Sequence, residues 1–259
     1  MHGALANPAS LPMTQSNPPI QPRPTPMPQL ILLPGLASDD AMWRAQLDAL
    51  PASLNSTVTD VHARHGSIEA MAAGLLNDHA GELILCGASM GGMLAMEAVR
   101  QAPHRVRGLA LLGTSARPES EDMRALRSGA IELFRQGRVE EILLANVPLA
   151  FAPHHATNPA LVQTYQDMVQ RAGADQLIRQ NLAVMARPDA RAHLGAVSCP
   201  TLVMCGEDDQ LTPPECSREI AYLAPRAELV LVAQCGHMLT LEQPASVNDT
   251  LLGWLARLG

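Results

Sequence analysis

The chain has 259 residues, of which 47% are hydrophobic and 17% charged, enough for one large α/β domain with a real core or two small ones. Its net charge of −7, with no cluster of Lys or Arg to offset it, argues against nucleic acid as a partner. Aromatic residues make up only 2%, so the core and any pocket must rest on aliphatic side chains and 13 methionines.

Residues 1–28 contain eight prolines, a composition that neither pairs in a sheet nor continues a helix, and this segment is expected to be disordered or extended. Met27 stands near its end as a candidate working start. Order is expected from Gln29. Leu30-Ile31-Leu32-Leu33 reads as a buried strand stopped by Pro34-Gly35. Asp39 or Asp40 can cap a helix running to about Leu50. Ser56 to Val61 reads as a second strand. Glu69, Met71, Ala72 and Leu75 lie at helical spacing in a helix from Ser67 to about Asn77. Leu83-Ile84-Leu85-Cys86 is a third strand, Met90 to Gln101 a third helix, and Val106 to Leu112 a fourth strand ended by Gly113. Residues 116–196 then break the rhythm, with helices expected near 120–136, 138–146, 159–171 and 173–186 and no clear strand. The alternation resumes with a strand at Thr201 to Met204, a helix from Pro214 to about Leu223, a strand from Glu228 to Val232 and a last helix from Ala245 to Leu258.

Alternating strands and helices imply a mostly parallel sheet of about six strands with helices on both faces. The expected division is a core of 29–115 and 197–259, with 116–196 as a helical cap over the strands' C-terminal ends, where ligands bind in such folds. The five cysteines (Cys86, Cys199, Cys205, Cys216, Cys235) form no C-x-x-C pair and read as reduced thiols of a cytoplasmic protein. No metal site is expected, since Cys and His do not cluster at ligand spacing and the adjacent His154 and His155 would point apart on a regular element. There is no secretory signal and no run of about 18 apolar residues, so neither export nor a membrane span is expected.

Four post-strand loops carry the chemistry. Gly87-Ala88-Ser89-Met90-Gly91 joins an apolar strand to an apolar helix, the setting in which G-x-S-x-G makes a nucleophile elbow. The pattern alone occurs by chance in roughly one chain in ten of this size, and a glycine-rich turn with a capping serine is the alternative reading. Gly236-His237 follows the last strand and could supply the base that a serine hydroxyl needs. Cys205-Gly206-Glu207-Asp208-Asp209 also follows a strand; three acids there could be a solvated turn, or one of them could orient the histidine. Pro34-Gly35-Leu36 follows the first strand. Backbone N–H groups of Leu36 and Met90 then stand where this architecture needs oxyanion donors. Serine, acid and histidine occur in the chain order of the α/β-hydrolases.

These motifs, together with Glu242-Gln243-Pro244, make the chain from Gln29 to Leu258 resemble the α/β-hydrolase superfamily, and its small esterase and lactonase members such as 3-oxoadipate enol-lactonase in particular. The resemblance implies an α/β-hydrolase fold, Ser89 as nucleophile, His237 as base, and Asp209, three residues after the glycine, as the orienting acid. Where the family usually carries His-Gly before the oxyanion residue, this chain has Pro34-Gly35; the backbone donor survives, but a polar side chain is lost. The family's two leading strands have no room before Gln29. The implied activity is hydrolysis of a small carboxylic ester or lactone through an acyl-enzyme, with no cofactor or metal. Carbon–carbon bond hydrolysis, acyl transfer or lyase chemistry on the same triad remains open, as does a slow-turnover ligand receptor that keeps the fold. Arg117, Arg124 and Arg127 could hold a substrate carboxylate or could lie on a solvated helix face. Neither a membrane nor a nucleic acid is an expected partner, and nothing in the sequence indicates an oligomeric state.

Overall fold

The computed structural model describes Gly3 and residues 28–258. The proline-rich stretch, apart from Gly3 and Pro28, lies outside the described residues. Six strands form one sheet: β1 (Gln29–Leu33), β2 (Thr57–Val58), β3 (Leu83–Ala88), β4 (Val106–Leu112), β5 (Thr201–Gly206) and β6 (Ala227–Val232). Their order is β2-β1-β3-β4-β5-β6 and every pairing is parallel.

The helices are α1 (Arg44–Ala49), α2 (Val61–Arg64), α3 (Ile68–Asp78), α4 (Met90–Gln101), α5 (Glu121–Arg135), α6 (Val139–Ala150), α7 (Pro159–Met185), α8 (Arg191–Leu194), α9 (Pro214–Leu223), α10 (Leu239–Glu242) and α11 (Pro244–Leu255). Side chains alternate across a strand, so each central strand feeds two cores. Leu30, Leu32, Ile84, Cys86, Ala110, Leu112, Leu202 and Met204 pack on one face with Trp43 and with Trp254 of α11. Ile31, Leu33, Leu83, Leu85, Leu109, Leu111 and Val203 pack on the other with α3, α4 and Ile220 of α9. The central runs are therefore apolar at every position, and periodicity alone could not have separated the two faces.

The helix starts follow local chemistry. Asp39 accepts from Ala41 N–H at 2.9 Å and Ser67 from Ala70 N–H at 3.1 Å, each satisfying a backbone donor left free at a helix start. Several boundaries differ from expectation. The second strand is only Thr57–Val58, because the edge strand pairs with β1 at two residues before the chain turns into α2. The helix after Arg138 runs on to Ala150, through Pro148. The last helix is preceded by the separate turn α10, and α11 opens with Pro244, a residue suited to a first helical position. The four-residue α8 is too short to show a period.

Between β4 and β5 the chain is helical, with α5 and α7 packed together and α6 against both. The expected break near residue 172 is present inside α7, where Gly173 has φ 69° and ψ 166°. Only glycine occupies that region without strain. A Cβ there would meet nothing within 4 Å, so Gly173→Ala isolates the backbone cost. It should destabilise the protein by about 1–3 kcal/mol in urea unfolding, with an unchanged m-value.

Candidate active site

Ser89 joins β3 to α4 and holds φ 52°, ψ −117°, outside the regions open to most L-residues. The bend is possible because strand and helix touch backbone to backbone: a Cβ on Gly87 would sit 2.2 Å from Gly91 O, and one on Gly91 2.1 Å from Leu33 O. Ser89 N–H donates to Leu112 O at 2.9 Å and Thr114 Oγ1 donates to Ser89 O at 2.7 Å, so the strained turn is held from β4 and the loop after it.

Asp209 lies three residues beyond β5. It is buried, whereas Glu207 and Asp208 beside it are exposed. Its Oδ1 accepts Leu211 N–H and Thr212 N–H, both at 2.9 Å, and its Oδ2 accepts Thr212 Oγ1–H at 2.9 Å. His237 Nδ1 stands 2.8 Å from the same Oδ2. A carboxylate accepts, so Nδ1 carries the proton and Nε2 remains the basic nitrogen. Burial alone would push the Asp209 carboxyl up, but the charge and hydrogen bond of His237, with the backbone and hydroxyl hydrogen bonds of Thr212, hold it below its ordinary value. Burial alone would likewise push His237 down, but Asp209 raises it above 6.5.

His237 is set by its own loop. Its N–H donates to Ala150 O at 3.0 Å. Glu242, in α10, accepts the N–H groups on either side of it, Gly236 at 3.0 Å and Met238 at 3.0 Å. The same buried carboxylate takes Ala152 N–H at 2.8 Å and faces His155 Nδ1 at 3.0 Å. Glu242 and Thr212 are functional neighbours that sequence reasoning did not assign. Thr212 had a local signal, an acid followed three residues later by a hydroxyl, the spacing of a side-chain-to-backbone turn. Glu242 entered the sequence reading only within the Glu242-Gln243-Pro244 motif; its bonds to Gly236 and Met238 are local, whereas those to Ala152 and His155 join segments 90 and 87 residues apart and left no signal.

A cavity of about 460 Å³ lies over this edge of the sheet. Ser89, His237, Leu36 and Met90 border it, with Met93, Phe134, Leu143 and Val169 among its apolar walls. No hydrogen bond joins Ser89 Oγ to His237 among the described residues; without substrate such contacts are often long and tighten on binding. Leu36 N–H and Met90 N–H have no acceptor among the described residues, and Met90 is the first residue of α4, where the helix dipole favours negative charge.

The three arginines separate. Arg117 Nε donates to Glu219 at 2.8 Å and Arg124 is exposed on α5; neither borders the cavity. Arg124 thus lies on a solvated helix face, and Arg117, which precedes α5, is paired with Glu219 at the surface. Arg127 does border it, held by Glu119 at 2.7 Å and Asn181 Oδ1 at 2.9 Å. Glu119 is shared with Arg187, so this buried group carries one excess positive charge. The rings of His154 and His155 lie 4.0 Å apart, and no cluster of three or more potential metal ligands occurs among the described residues. No helix among them is long and apolar enough to cross a membrane.

Residues 79–244 match the α/β hydrolase fold family, and the chain belongs to that family. RutD of Serratia proteamaculans, named for carbamate hydrolysis, is 26% identical over 246 residues, covering 89% of this chain and 91% of its own. A thermophilic esterase from Thermogutta terrifontis superposes with a TM-score of 0.81 at 29% identity, covering 90% of this chain and 91% of that one. An enol-lactonase from Burkholderia xenovorans gives 0.80 at 22% identity, covering 89% and 92%, a likeness of fold.

The Asp209–His237 contact makes a titration prediction. The His237 ring, followed by NMR, should titrate with a midpoint above 6.5 in the wild type. Asp209→Asn removes the charge that raises it, and the midpoint should fall; an unmoved midpoint would contradict the pairing.

Proposed function

We propose that the protein is a serine hydrolase acting on a small carboxylic ester or lactone. The observation that carries this reading is a buried Asp209–His237 pair at 2.8 Å, on the wall of the same cavity as a strained Ser89. His237 Nε2 takes the Ser89 proton as Oγ adds to the substrate carbonyl. Leu36 and Met90 N–H groups bind the resulting oxyanion. The carbonyl re-forms as the alkoxide leaves with the proton from His237, giving an ester on Ser89. Water, deprotonated by His237, repeats the addition and frees the acid. Nothing in these steps calls for a cofactor or metal.

The names of similar proteins support the reaction class: esterase, enol-lactonase and carbamate hydrolase all denote addition to a carbonyl bearing a heteroatom leaving group. The apolar walls favour an acyl or alkyl group of modest size, and their methionines can adapt to several shapes. Residues 116–196 would act as the cap, since α5, α6 and α7 supply much of the wall. Arg127 is the arginine placed to meet a polar or anionic end of the substrate.

Ser89→Ala should lower kcat by about a million-fold on p-nitrophenyl esters and abolish labelling by a fluorophosphonate probe. Labelling of the wild type without repeated turnover would favour the receptor reading, and turnover surviving in Ser89→Ala would overturn the mechanism. Arg127→Ala should raise KM for esters ending in a carboxylate about tenfold and leave neutral esters of equal length near wild type. Equal changes for both would remove Arg127 from substrate binding.

A further inference from the structure

After β1 the chain turns through Gly35-Leu36-Ala37-Ser38. Ser38 N–H donates to Gly35 O at 3.3 Å, and Ala37, third in the turn, has φ 61°. Leu36 does not have positive φ, so the turn is type II, whose third position favours glycine. Alanine there is strained and persists only with outside support. The turn lies hard against the elbow: a Cβ on Gly35 would sit 3.3 Å from Ser89 Cβ.

Two distant side chains hold this turn. Gln180 of α7, fully buried, accepts Ala37 N–H at Oε1 (2.8 Å) and donates from Nε2 to His62 O (3.1 Å). The amide orientation is unambiguous, because one partner can only donate and the other only accept. His62 Nε2–H in turn donates to Ser38 O at 2.9 Å. Arg171, also of α7, pairs with Asp39 just past the turn. Gln180 does not border the cavity, although its neighbours Leu177, Asn181 and Val184 do.

We propose that Gln180 is a positioning residue: by capturing Ala37 N–H it locks the turn that aims Leu36 N–H at the developing oxyanion. The proposal rests on the acyl-transfer reading above. Without Gln180, Ala37 N–H and His62 O are buried with no partner, and the strained alanine is free to relax toward negative φ. The turn then loses its shape, and Leu36 N–H its aim. That donor bonds the oxyanion only as charge develops, so the loss falls on kcat and leaves substrate binding intact.

Gln180→Met keeps the length of the side chain but neither hydrogen bond. On p-nitrophenyl butyrate, kcat should fall about ten- to a hundredfold, less than the loss of a whole oxyanion donor, with KM within about twofold. Inhibition by a trifluoromethyl ketone, whose adduct with a serine carries an oxyanion, should weaken in parallel with kcat. Adding Ala37→Gly to Gln180→Met should recover most of the lost kcat, because glycine holds the third position of a type II turn unaided. A role in packing alone would lower Tm or raise KM and would not respond to Ala37→Gly. If Gln180→Met fails to fold, Gln180→Asn, which keeps a buried amide but is one methylene too short to reach Ala37, carries the same test. Wild-type kcat in a folded Gln180 variant overturns this proposal. Turnover by Ser89→Ala overturns the acyl-transfer reading instead, so the two failures are distinct.

Discussion

Asp209 is a carboxylate kept ionised inside the protein, and the arrangement around it sets much of the site. A buried charge without partners costs several kcal/mol, and breaking a buried pair by removing one member costs about 3–5 kcal/mol. Here the cost is met by two backbone N–H groups, the Thr212 hydroxyl and the His237 ring. The oxygen and nitrogen donors of the loop come from the three residues after Asp209, the Cys205 thiol of β5 lies 3.9 Å from Oδ2, and the imidazole comes from a distant loop. The loop beyond β5 thus solvates its own acid and leaves one lone-pair direction for the histidine. Linkage follows with opposite signs for the two partners. The lowered carboxyl favours folding above its ordinary pKa of 3.8 and loses this as pH falls through its native value. The raised imidazole favours folding below 6.5, and that contribution fades as pH rises through its higher native value.

The helices between β4 and β5 do more than wall the cavity. The end of α6 and the residues after it accept from His237 and Met238 at Ala150 O, and Glu242 ties Ala152 and His155 to the histidine loop. On the other side, α7 grips the turn after β1 through Gln180 and its edge through Arg171. Both halves of the candidate site, the base and an oxyanion donor, are therefore held by the segment that also shapes the pocket. A change of substrate preference by mutation in α6 or α7 would be coupled to catalytic geometry, because the same elements bear both.

The cavity combines apolar, thioether-rich walls with the fixed guanidinium of Arg127. Arg127, Arg187 and Glu119 form one cluster in which Glu119 and Arg187 are almost fully buried and Arg127 faces the cavity. Such a charge, only partly compensated and near apolar walls, is felt more strongly than a solvated one.

Much was legible in the sequence because it was local. Apolar runs marked five of the six strands closely, four of them ended by glycine or proline, and α4 and α9 have the expected bounds, since strand burial and helix periodicity are properties of short windows. The elbow was legible because Gly87 and Gly91 answer a purely steric demand at a sharp turn. Chain order and the rule that parallel strands open at one edge were enough to bring residues 89, 209 and 237 to the same side of the sheet. The residues alone left three acids open and only the resemblance pointed to Asp209; the tertiary structure decided which arginine faces inward, and that Glu242 and Gln180 brace segments 90 and 143 residues away in the chain. Hydrogen bonds between distant segments leave no periodic trace in either, because the partner is chosen by where two surfaces meet.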